Sequence, residues 1–96
     1  MMWINIPDQT KVIARYGADA QAMIHAEEMA ELIQAVSKMR RAVNTESETD
    51  AARYNLIEEA ADVLICIRQM QEIYGINDHD IQLMVDRKCR RQEARL

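Results

Sequence analysis

Phenylalanine is absent from the 96 residues, tryptophan and proline occur once each, and glycine occurs twice. A chain so poor in turn formers and large aromatics is a poor candidate for sheets joined by tight turns. Two cysteines 23 positions apart give neither a metal-knuckle spacing nor a disulfide framework. Cys66 lies inside an apolar run, where a reduced core thiol is the expected state. No apolar run approaches the ~20 residues of a membrane-spanning helix, and the start lacks a charged segment followed by an apolar one. The expectation is therefore a cytoplasmic protein with no membrane partner. A net charge of −4 excludes a general nucleic-acid coat, and no nucleic-acid polymer is expected as a partner.

What is present favours helices. Ala, Met, Leu, Ile, Glu, Gln and Arg dominate, and most are good helix formers. Seven methionines suit gap filling between packed helices. The expected fold is all-α: a single domain over residues 1–96, with two long central antiparallel helices, a short N-terminal helix and a basic C-terminal one. Asp8 after Pro7 caps a helix running to about Tyr16, Gly17 ends it, and Asp19 caps the next, from about Ala20 to Val43. Asn44–Glu48 reads as the main loop, with Thr45 and Glu48 at capping-box spacing. A third helix runs from about Glu48 to Tyr74 with Gly75 as its C-cap. A fourth starts at Asn77-Asp78 and reaches Ala94. So small a chain buries a modest share of its surface alone, which points to completion by oligomerisation.

Two acidic pairs stand out, Glu28 with Glu31 and Glu59 with Asp62. At i,i+3 each pair shares a helix face. At ~100° per residue the second helix places Ile24, Glu28, Glu31, Leu32, Ala35 and Met39 on one stripe. The third aligns Asp62 with Asn55, Cys66, Gln69 and Ile73. The carboxylates thus lie within apolar faces turned to the bundle interior, and the run Val63–Ile67 is apolar all round, as in a helix buried on several sides. Clustered buried carboxylates repel unless a cation or proton neutralises them. Four carboxylates without His or Cys suit Mg²⁺, then Mn²⁺, over Zn²⁺. A ferritin-like di-iron bundle would want Glu-x-x-His, where this chain has Glu59-x-x-Asp62.

The carboxylate pattern, EExxE then 27 residues then ExxD, resembles the MazG-type members of the all-α nucleoside triphosphate pyrophosphohydrolases. Residues 17–41 look like that family's second helix, 55–70 like its third, and DRKCRRQEARL (86–96), with five basic and two acidic residues, like its basic last helix. Arg90 and Cys89 depart from the usual residue types of that last helix. The resemblance implies Mg²⁺-dependent cleavage of a nucleoside triphosphate to the monophosphate and pyrophosphate. One chain of ~100 residues shields so charged a site thinly, so a homodimer or homotetramer is expected. The resemblance carries Glu28, Glu31, Glu59 and Asp62 over as catalytic metal ligands, and Lys88, Arg91 and Arg95 as phosphate-binding residues. The bland alternative for the basic set is a C-terminal turn complementing the helix dipole. Lys38, Arg40 and Arg41 form a smaller basic cluster.

Around the ligands, Glu27 and Glu58 have outer-shell or solvated roles, and Gln21 faces the Glu28 side within reach of substrate. His25, one turn before Glu28, is a partly exposed helix residue or a supporting partner. Trp3 and Tyr16 are assigned to terminal hydrophobic packing, with base stacking the alternative. A phosphoribosyl-ATP pyrophosphatase shares the acidic logic, but its Ser-Tyr-Thr segment near the N-terminus is missing here. A non-catalytic oligomerisation or regulatory module is the rival from another class.

Overall fold

A computed structural model describes residues 4–42 and 45–96. Four helices follow one another: α1 (Thr10–Tyr16), α2 (Ala18–Arg41), α3 (Glu46–Tyr74) and α4 (Asp78–Ala94), with no strand among the described residues. The all-α architecture with two long packed helices is as the sequence implies. α2 and α3 pack along one another, and α1 touches both.

Local chemistry sets most helix ends. Thr45 is extended, and its hydroxyl accepts from the Glu48 N–H at 3.0 Å, so α3 begins at Glu46 rather than Glu48. Most of the expected loop is therefore first-turn helix, while Val43 and Asn44 lie outside the described residues. Gly75 closes α3 in the left-handed region at φ 66°, and the Ile76 N–H reaches back to the Gln71 carbonyl. Asn77 caps α4 by accepting from the Asp80 N–H at 2.8 Å.

Two expected caps are corrected. Gly17, at φ 82° and ψ 159°, occupies the N-cap of α2, so Asp19 falls inside the first turn, where its charge faces the dipole without capping. At α1 the cap position is Gln9. Asp8 works one residue earlier, taking the Thr10 N–H at 3.0 Å and its hydroxyl at 2.6 Å.

The core is thin. Among the described residues the buried hydrophobic ones are Ala35, Ala52 and Cys66, all small. Expected burial on all sides of Val63–Ile67 is not met, because Ile65 and Ile67 are exposed in the single chain while only Cys66 is buried. Among the described residues α4 packs against no other helix. It is held at its start by Asp78, whose Oδ1 accepts from Gln71 Nε2 at 2.7 Å and from Arg68 Nη1 at 3.4 Å. The exposed area is 7899 Å², against about 5,700 Å² expected of a compact monomer of 11.1 kDa. The radius of gyration is 16.1 Å, against about 12.5 Å for a compact domain of this length.

Candidate metal centre

α2 and α3 run antiparallel, in a register that sets Gln21 and Glu28 of one helix against Gln69 and Asp62 of the other. The sequence pairs the acids within each helix; the packing pairs them across. Glu28 meets Asp62, and Glu31 meets Glu59. One ligand oxygen from each of the four residues lies within 4.8 Å of the others. Three of these side chains are half-buried and Glu31 is exposed, so the cluster sits at the edge of the helix interface rather than deep inside it.

The electrostatics follow from that placement. Burial pushes the Glu28 carboxyl above the usual range, and the Asp62, Glu31 and Glu59 carboxylates push it further. Glu59 is raised by burial first, then by Glu31, Asp62 and Glu58. Glu28 Oε2 and Glu59 Oε2 are buried without a hydrogen-bond donor among the described residues. A buried carboxylate oxygen lacking a donor costs free energy comparable to a lost hydrogen bond, or more. Hard divalent cations bind oxygens at about 2.0–2.6 Å, so ligands on opposite sides of one ion stand about 4–5 Å apart. The four-carboxylate cluster and its two orphaned oxygens thus fit a metal ion.

The side chains behind the acids are buried. Cys66 is a free thiol, raised above its usual pKa by burial and by the Glu28 and Asp62 charges, which keeps it protonated and unreactive. His25, expected to be partly exposed, is buried, and its Nε2 lies 2.8 Å from Gln69 Oε1. Gln69 Nε2 donates to Gln9 Oε1 at 2.9 Å, and Gln9 Nε2 donates to the Pro7 carbonyl at 2.8 Å. That carbonyl can only accept, so the direction of every bond in the chain is fixed back to His25, whose Nε2 must carry the proton. The Gln9 backbone N–H donates to Glu72 Oε1 at 3.2 Å. The N-terminal segment is thereby tied across α3 to α2, one turn from Glu28. Helical periodicity alone aligns Gln69 with Asp62 on one face of α3. Gln9, 60 residues from Gln69, gave no signal.

Gln21 is buried two turns before Glu28 and lines the same cleft as Glu28 and Asp62, on the side expected. Glu27 and Glu58 are exposed and stand outside the four-carboxylate cluster, though the Glu58 charge still reaches Glu59. Tyr16 is exposed, contrary to a packing role, and Trp3 lies outside the described residues. Lys88, Arg91 and Arg95 do share one face of α4, where with Gln92 they line a cavity of about 280 Å³. That cavity contains none of the four acids. Within one chain the basic and acidic sets are separate.

No protein-family model, curated protein or solved structure matches this chain. No helix among the described residues is long and apolar enough to cross a membrane.

Proposed function

We infer that this chain is a MazG-like nucleoside triphosphate pyrophosphohydrolase that uses Mg²⁺, with Mn²⁺ as a substitute. The observation that supports it best is the four-carboxylate cluster within 4.8 Å, with buried Glu28 Oε2 and Glu59 Oε2 left without donors. Glu28, Glu31, Glu59 and Asp62 would hold the ion, and oxygen-only donors favour a hard cation. Bound there, the ion supplies coordination to phosphate oxygens and lowers the pKa of an attacking water. A carboxylate not fully engaged in ligation can orient or deprotonate that water. Exposed Glu31 is the best placed for it, being open to solvent.

Lys88, Arg91 and Arg95 offset charge on the phosphates and on the leaving pyrophosphate. Since α4 packs on no helix of its own chain, the reading includes a homo-oligomer in which a second copy brings these residues to the acidic cluster. The excess exposed area supports an obligate assembly. At about 2,200 Å² per chain, it lies in the range that such interfaces bury.

The test is pyrophosphate release by the purified protein with Mg²⁺, offered a panel of NTPs, dNTPs and phosphoribosyl-ATP. Release from nucleoside triphosphates is expected, abolished by Glu59→Gln and by Asp62→Asn with helicity retained. Release from phosphoribosyl-ATP alone would move the assignment to that pyrophosphatase. Metal binding without release from any substrate would favour the non-catalytic module, a reading that the exposed apolar face of α3 also suits.

A further inference from the structure

The face of α3 turned away from the acids is uncovered, and its sequence is regular. Asp50, Tyr54, Ile57, Ala61, Leu64 and Arg68 follow one another at alternating steps of four and three, the spacing of the a and d positions of a coiled coil. They make one stripe about 27 Å long, roughly 150° round the helix from Glu59 and Asp62. Asp50 and Ala61 are exposed, Tyr54 and Ile57 are exposed by 66% and 60%, and Leu64 is half-buried. Beside Ala60, Ala61 and Leu64 the stripe opens into an apolar groove of about 410 Å³ walled by Ile4–Pro7.

The stripe is complementary to itself in one orientation. Laid antiparallel on a second α3, turned end for end about Glu59, it sets Asp50 against Arg68, Tyr54 against Leu64 and Ile57 against Ala61. Each pair occurs twice, and at the centre a large side chain lies over a small one, where there is room for it. A parallel pairing would instead stack Asp50 on Asp50 and Arg68 on Arg68, like charges that repel. Both charged residues are poorly matched within the chain. Asp50 has no ionic partner among the described residues, and Arg68 has only exposed Asp78, at 3.4 Å. Arg68 Nε is buried with no hydrogen-bond partner among the described residues. Turning the guanidinium toward another carboxylate therefore forfeits little and meets an unmet charged donor. The Arg68 side chain is 33% exposed, within reach of a second copy. Against these pairs stand the two Glu58 carboxylates, which approach across the axis at the rim, exposed and screened by solvent.

We propose that two copies of this chain pair through this stripe as an antiparallel α3–α3 seam, with Asp50 and Arg68 as the ion pairs that fix its register. The proposal gives the homo-oligomer named above a face and a two-fold symmetry, and it holds whether or not the chain cleaves nucleotides. The area is sufficient. The chain exposes about 2,200 Å² more than a compact monomer, and a standard interface needs about 800 Å² from each partner. Because the acids lie on the far side of α3, the seam leaves the metal cluster uncovered.

Charge reversal tests the register. Asp50→Arg places like charges at both ends of the seam. It is expected to raise the dissociation constant read by sedimentation equilibrium at least about tenfold, and to lower the melting temperature at fixed protein concentration. Asp50→Arg/Arg68→Asp is expected to restore both. In a parallel seam Asp50→Arg exchanges one like pair for another, so unchanged association would overturn the proposal. Arg68→Asp also meets Asp78, so a second measurement leaves the charges alone. In a Cys89→Ser background, where buried Cys66 is the remaining native thiol, Ile57→Cys and Ala61→Cys copies are refolded together and mildly oxidised. The mixture should form a disulfide-linked dimer and each variant alone should not, because like-numbered positions of the two copies stand beyond the ~7 Å reach of a disulfide. Cross-linking of either variant alone would mean a parallel seam, and none in the mixture would mean another face or another partner; either result overturns the proposal. No readout here is pyrophosphate release, so the seam and the enzymatic reading fail separately.

Discussion

Glu28 and Glu59 are each held near like charges with a carboxylate oxygen buried and unpaired, so the metal-free chain is strained at the place where the ion would bind. Replacing Glu59 by Gln removes one charge from the cluster. In EDTA the variant is expected to melt higher than the parent, because repulsion among the remaining carboxylates falls. With Mn²⁺ the order reverses, and the affinity read by Mn²⁺ EPR drops by at least about tenfold to a hundredfold, the loss known already for partners of metal ligands. A variant that melts lower in EDTA and binds Mn²⁺ as before would refute the ligand role.

The same raised carboxyls fix a pH dependence. A carboxyl whose folded pKa lies above its unfolded value holds more protons in the native state between the two. Stability of the metal-free protein therefore rises as pH falls through the folded pKa values of Glu28 and Glu59. The gain is complete near the unfolded value of 4.5. With metal bound the sign inverts, since protons then compete with the ion. Melting curves from pH 7 to 4.5, in EDTA and in saturating Mg²⁺, should diverge in slope. Parallel curves would remove the cluster from the linkage.

At the scale of elements, helix ends can be tested where one residue carries them. Thr45→Ala should cost about 1 kcal/mol by loss of the cap on α3. At Gly75 an added Cβ would meet nothing within 4 Å, so Gly75→Ala carries only the left-handed backbone cost of roughly 1–2 kcal/mol, and Gly75→Asn less. Denaturant unfolding measures all three, and an Ala cost at Gly75 below that of Asn would contradict the αL assignment.

These ends were legible because Thr45, Gly75 and Asn77 act on neighbours a few residues away. Asp19 misled because Gly17 starts α2 earlier with a backbone that needs no side-chain cap. The acidic motif was legible too, since i,i+3 spacing puts both members of a pair on one face. Helix register was not, so the crossed partnership of Glu28 with Asp62 and Glu31 with Glu59 had to come from packing. The His25–Gln69–Gln9 chain links residues 44 and 60 positions apart, and no local pattern encodes such bonds. Val63–Ile67 shows a different limit. An apolar run tells that something covers it, and not whether the cover is the same chain.

For the molecule as a whole, that uncovered surface decides the remaining prediction. Ile57, 60% exposed, joins Ala60, Ala61, Leu64 and Ile65 of α3 and the segment Ile4–Pro7 around an apolar groove of about 410 Å³. Leu83, Met84 and Val85 are exposed on α4. A core of Ala35, Ala52 and Cys66 cannot offset the chain entropy of 96 residues, so folding and association should be one event. Sedimentation is then expected to show a dimer or tetramer at all concentrations where helicity persists, with a melting temperature that rises with protein concentration. Ile57→Glu should lower both the assembly state and the helical signal, whereas a helical monomer would disprove the coupling. Whether α4 acts across the interface is answered by mixing. Glu59→Gln lacks a ligand, and Lys88→Ala/Arg91→Ala/Arg95→Ala lacks the phosphate contacts, so each should be inactive alone. If the basic set works from a second copy, co-refolding equal amounts forms hybrid dimers with one intact site in two. About a quarter of the parent activity should then return under statistical pairing. If acids and bases must come from the same chain, every site in the mixture carries one of the two lesions and the mixture stays inactive.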